Sequence, residues 1–80
     1  MIISPHAYEE MLKAGISDDE IRQCLEHGEL EIKQFVKGEM RYGKKIDFKD
    51  KTIMVIYTHR RNEERVITAY IIRRKKTWRK

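Results

Sequence analysis

Eighty residues suffice for one small domain with a marginal core, because chains divide at about 100–200 residues per domain. Apolar residues make up 40% and fall in patterned runs, against wholesale disorder; the longest, Ile53–Tyr57, is too short to span a bilayer. A single cysteine, Cys24, excludes an internal disulfide and the common zinc frameworks, and the net charge of +5 points to an anionic partner.

The chain opens Met-Ile-Ile-Ser-Pro-His without the basic-then-apolar pattern of a signal peptide, so a reducing cytoplasm is expected. Ser4-Pro5 predicts an N-cap followed by proline at the first helical position, and Gly15 suits a left-handed C-cap. Ser17 and Glu20 stand at capping-box spacing for a second helix, with Ile16 and Ile21 as its hydrophobic staple. Asp18, Asp19 and Glu20 complement the positive end of its dipole, and Gly28 ends it. The pair reads as an αα-hairpin whose apolar face, with Ile21, Cys24 and Leu25, must be covered.

From Glu29 the period becomes two, and Leu30, Ile32 and Val36 alternate with Glu31, Lys33, Phe35 and Lys37 as a strand. Gly38-Glu39 reads as a turn and Met40–Tyr42 as the start of a second strand. Gly43 is a bulge or a turn, after which Lys44–Phe48 continues that strand or starts an edge strand, and Lys49–Lys51 turns the chain again. Thr52–Thr58 is apolar on both faces, as a central strand requires, His59–Glu64 reads as a polar loop, and Arg65–Ile72 as another apolar strand. The expected fold is therefore α+β: an N-terminal αα-hairpin on a mostly antiparallel meander of about four strands. Residues 1–72 form the single domain and 73–80 a basic tail.

The charge is divided along the chain. Residues 1–31 carry eight acidic and two basic residues, and residues 32–80 carry sixteen basic and five acidic ones. Nucleic acid is the first partner this suggests and an acidic protein the second; a solvated, thermally adapted surface has the same composition.

The segment Pro5-His6-Ala7-Tyr8-Glu9-Glu10-Met11-Leu12-Lys13-Ala14-Gly15-Ile16-Ser17 resembles the opening His-Ala-x-x-Arg-Met-x-x-Arg-Gly-Ile-Ser of a small prokaryotic domain family of unknown function, related to the RelE/ParE-type toxins and their BrnT-like branch. The likeness continues through Glu20-Ile21, Leu25-x-x-Gly28-Glu29, Val55-Ile56-Tyr57 and Val66-Ile67-Thr68-Ala69-Tyr70. It implies a RelE-like fold and metal-independent cleavage of messenger RNA, often on the ribosome, silenced by an antitoxin. Glu10 and Ala14 stand where the pattern has arginines, and Tyr70 stands where BrnT-like sequences carry one.

Such cleavage needs a base for the ribose 2′-hydroxyl, an acid for the leaving oxygen and cations on the phosphorane. His59 is the first candidate for proton transfer, with Arg60 and Arg61 beside it to clamp phosphate and to favour the neutral imidazole. A solvated loop paired with Glu63 and Glu64 has the same sequence. His6 is a second base, or holds the first helix to the sheet, while His27 complements a helix dipole. Tyr70, with Tyr57 and Tyr42, offers base stacking or a proton. By parity Tyr70 shares a face with Val66, Thr68 and Ile72, which equally describes core.

Lys44 and Lys45 line a groove or guard an edge strand. In the tail, Arg73, Arg74 and Trp78 combine phosphate attraction with stacking, against a frayed solvent-exposed end. No His-x-x-x-His or His/Cys/Asp cluster supports a metal, and no cofactor or membrane anchor is expected. Two functions fit these residues: a RelE-like endoribonuclease, or a non-catalytic module for RNA, ribosome or an acidic antitoxin.

Overall fold

The computed structural model describes residues 1–75. In chain order they form β1 (Ile2–Ile3), α1 (Pro5–Ala14), α2 (Asp18–His27), β2 (Glu29–Val36), β3 (Glu39–Asp47), β4 (Lys51–Arg60) and β5 (Glu63–Arg74). Among the described residues no helix is long and apolar enough to cross a membrane.

Both helices start and stop where their capping chemistry predicts. Ser4 Oγ accepts from the Ala7 N–H at 3.1 Å, and Gly15 closes α1 at φ 76°, a conformation glycine enters without a Cβ penalty. Ser17 and Glu20 form the reciprocal capping box, at 3.0 and 3.1 Å. Ala7 and Met11 of α1 and Ile21, Cys24 and Leu25 of α2 are buried against Ile53, Val55, Tyr57, Val66 and Ala69 of the sheet. Lys51, expected in a turn, instead begins β4 with its side chain only 7% exposed. Its Nζ lies 3.0 Å from Glu20 and donates to Gly15 O at 3.1 Å, tying both helices to the sheet. An ammonium so sheltered depends on those partners, because a buried unpaired charge is costly.

The sheet is mixed, in the order β1-β5-β4-β3-β2. The meander expected from the short turns is present, antiparallel from β2 to β5. The expected count of four strands is corrected to five, because β1 adds parallel to β5 through Ile2↔Arg65 and Ile3↔Val66. Two residues are too few to show a period, and the pairing comes from the open edge of β5. The Ser4 N–H extends it, donating to Val66 O at 3.1 Å. This five-strand mixed sheet departs from the four-strand RelE-like arrangement that the resemblance implied.

The polar loop expected over His59–Glu64 contracts to a hairpin tip. His59 and Arg60 pair with Glu64 and Glu63, leaving Arg61 and Asn62 at φ 51° and 64°. Two central residues at positive φ match the twist of a tight antiparallel hairpin. Lys44 and Lys45 belong to an inner strand, not to an edge, since β2 lies outside β3.

Two bulges in β5 overturn the parity reading. The register passes from Ile56↔Thr68 to Tyr57↔Val66 and from Thr52↔Arg73 to Ile53↔Ile71, so Ile67 and Ile72 have no direct partners. Each extra residue exchanges the faces of the strand positions beyond it. Val66 and Ala69 thus both turn inward, 0% and 1% exposed, whereas Tyr70 turns away from the helices at 44%. The Ile67 carbonyl, displaced by the first bulge, accepts from Ser4 Oγ at 3.2 Å. Gly43 is neither bulge nor turn but a mid-strand residue of β3; the irregularity lies across from it, between Leu30 and Ile32 of β2. A Cβ on Gly43 would stand 3.0 Å from side-chain atoms of Ile32 and Ile56.

Ten helical residues span about 15 Å, whereas ten strand residues span about 33 Å. The two ten-residue helices therefore cannot cover the sheet along its length. α1 runs from Val66 to the Arg74 side chain, which donates to Ala14 O. α2 runs from Lys51 to Lys44, which donates to Leu25 O at 2.6 Å. The sheet end carrying the β2–β3 tip at Lys37-Gly38 and the β4–β5 tip at Arg61-Asn62 projects beyond them.

Candidate functional site

At that projecting end the central strands separate. β3 and β4 are paired from Asp47↔Thr52 to Tyr42↔Tyr57, but β3 continues back to Glu39 and β4 on to Arg60. Thr58 Oγ1 bridges part of the gap, donating to Met40 O at 2.7 Å. The result is a notch of about 510 Å³ between the hairpin tips, lined by Lys37, Gly38, Glu39, Met40, Tyr42, Thr58, His59 and Arg60.

Three rings meet at its inner end. Tyr42 and Tyr57 have centroids 5.5 Å apart, and His59 stands edge-on to both, at 5.8 and 5.7 Å. Edge-to-face contacts at these separations suit the ring quadrupoles. Tyr57 is buried, and that burial, with Glu64 nearby, raises its hydroxyl pKa. Lys44 Nζ lies 5.8 Å from the Tyr57 centroid, within cation–π range. On the outer side, Phe35 pairs with Met40 and is 68% exposed.

One wall of the notch is an ionic triad. Glu39 accepts from Arg60 Nη2 at 3.1 Å and from Arg41 Nε at 3.3 Å. The Arg60 hydrogen bond, then that of Arg41, holds the Glu39 carboxyl below its usual range, so at neutral pH Glu39 is a carboxylate with no proton to donate.

Of the residues singled out from sequence, the notch brings together His59, Arg60 and Tyr42, with Tyr57 buried behind the two rings. His59 is exposed at its mouth. Arg60 faces Glu39, while Arg61 is exposed in the adjacent turn. Lys44 caps the carboxyl end of α2 rather than lining a groove, and Lys45 Nζ pairs at 3.8 Å with Glu31. His6 is exposed in the first turn of α1 and does not line the notch.

Tyr70 pairs with Met54, five positions along β4 from His59, and is not part of this site. Arg73 and Arg74 continue β5, Arg74 donating to Ala14 O at 3.2 Å, and Trp78 lies outside the described residues. Sequence reasoning missed Glu39, read as a turn residue, and Arg65. The Glu39–Arg60 contact joins positions 21 residues apart, and no local pattern signals it. Among the described residues no group of three or more His, Cys, Asp or Glu could hold a metal ion.

Residues 3–71 match a family described as a domain of unknown function, DUF4258. No curated protein and no solved structure matches the chain.

Proposed function

The chain belongs to the DUF4258 family, a domain of unknown function, and from that premise we propose that it binds single-stranded RNA in the notch between its hairpin tips. The observation that carries this reading is the packed Tyr42–Tyr57–His59 ring group, open at His59. Each base has a π-face, and stacking on such a group contributes about 1–3 kcal/mol per base without reading sequence. Lys37 and Arg61, exposed on the two tips, supply the cations that a phosphate backbone requires.

Cleavage is the second reading. It is favoured by His59 standing exposed on the lining of the notch. His59 would take the 2′-hydroxyl proton as that oxygen attacks phosphorus. The 5′-oxygen would leave with a proton from the Tyr42 hydroxyl, giving a 2′,3′-cyclic phosphate. Binding comes first because Arg60 is engaged by Glu39 and Glu39 is held ionised, so the notch offers stacking surface more fully than a matched acid and base.

Fluorescence anisotropy with a labelled single-stranded RNA of about ten nucleotides tests both readings. We expect binding at low salt, weakened about 5- to 150-fold by His59→Ala and largely kept in Tyr42→Phe, which retains the ring. No binding at low salt overturns the proposal. On a gel, RNA cut by the wild type and spared by His59→Ala supports cleavage, whereas intact RNA with and without ribosomes removes it.

A further inference from the structure

Beside the notch, across the β4–β5 hairpin, lies a second cleft of about 360 Å³ lined by Ile2, Arg60, Arg61, Glu63 and Arg65. It exists because the tight turn at Arg61 and Asn62 brings Arg60 and Arg61 back toward Glu63 and Arg65, and because β1 places Ile2 against Arg65. Three guanidinium groups thus line one small concavity with a single carboxylate. That carboxylate is already engaged, Glu63 Oε2 lying 3.1 Å from the Met1 amino group. Arg60 gives one nitrogen to Glu39, away from this cleft's own lining.

Arg65 is the unexplained member. Its Nε is buried and has no hydrogen-bond partner among the described residues. Buried donors are nearly always paired, and a guanidinium N–H without an acceptor is costly. A planar fork of donors matches the oxygens of a phosphate group, and several converging arginines recognise it better than lysines would. Ile2, 39% exposed, adds an apolar wall beside the cations, which suits an ester more than a bare ion.

We infer that this cleft is a binding site for a phosphate ester, in which Arg65 and Arg61 hold the phosphate oxygens and Arg60 neutralises the remaining charge. It opens across the hairpin from the ring notch, with Arg60 lining both, and does not rest on the RNA reading.

Two-dimensional amide NMR of the whole chain, titrated with inorganic phosphate as the probe and with chloride at matched ionic strength as control, provides the test. The expected result is saturable shifts confined to Ile2 and the Arg60–Arg65 hairpin, absent with chloride and weakened about tenfold or more in Arg65→Gln. Arg61→Asn, which accepts positive φ, provides a second variant should Arg65→Gln fail to fold, and is expected to weaken phosphate similarly. Shifts matched by chloride, or unchanged phosphate affinity in a folded variant, overturn the inference. His59→Ala is expected to leave phosphate binding intact; equal loss in His59→Ala also overturns it, by showing one site instead of two. Loss of RNA binding in His59→Ala with phosphate binding retained supports both sites, and phosphate binding without any RNA binding supports this cleft while removing the notch reading.

Discussion

Cys24 shows how far one side chain is defined by what packs on it. Its Sγ donates to Lys44 O at 3.2 Å beneath α2. Burial is the largest influence on the thiol, outweighing the Lys44 charge, and pushes its pKa from the ordinary 9.0 up to about 11. The unfolded thiol therefore ionises first as pH rises, and the unfolded state then binds fewer protons than the native one. Stability contributed by the neutral thiol is complete below pH 9 and is lost from there to about pH 11. Thermal melts across that window should show the advantage of the wild type over Cys24→Ala shrinking as pH rises. A constant difference would contradict the burial. Glu39 has the opposite sign. Its carboxyl is held low by Arg60 and then Arg41, so its contribution is present above the usual carboxylate range and lost as acid protonates it.

At the level of elements, the helices were legible and the sheet only partly so. Ser4, Gly15, Ser17 and Glu20 act within a few residues of themselves, so capping chemistry declares them in the sequence. Strand faces depend on register, and one unpaired residue at Ile67 was enough to turn Tyr70 outward. Gly43 lay in the same blind spot. Its lack of a side chain reads as a bulge or a turn, but it serves close packing between Ile32 and Ile56. Gly43→Ala should therefore destabilise the domain by about 1–2 kcal/mol, overpacking outweighing the reduced freedom of the unfolded chain. Urea unfolding measures this directly, and a variant as stable as the wild type would show that Ile32 and Ile56 yield without cost.

At the scale of the whole molecule, the two proposed sites lie at the end of the sheet that the helices are too short to cover. They differ in physical kind. Stacking on His59 releases no counterions, whereas each phosphate neutralised on single-stranded RNA contributes about 0.7 to the slope of log affinity against log salt. His59→Ala should weaken RNA binding at unchanged slope. Arg61→Asn should lower the slope by about 0.7 for each contact it removes. Anisotropy across a salt series reads both, and a changed slope in His59→Ala would make its role electrostatic rather than stacking.

Local chemistry determined the α+β class, both helix boundaries, the central apolar strand and the division of charge, because caps, hydrophobic period and ionisable groups act over short stretches of chain. The fifth strand, the bulges that reassign Tyr70, the splayed pair that makes the notch and the meeting of Arg60, Arg61 and Arg65 arise only in three dimensions. They come from pairing between residues far apart in sequence and from the mismatch between a helix's rise and a strand's.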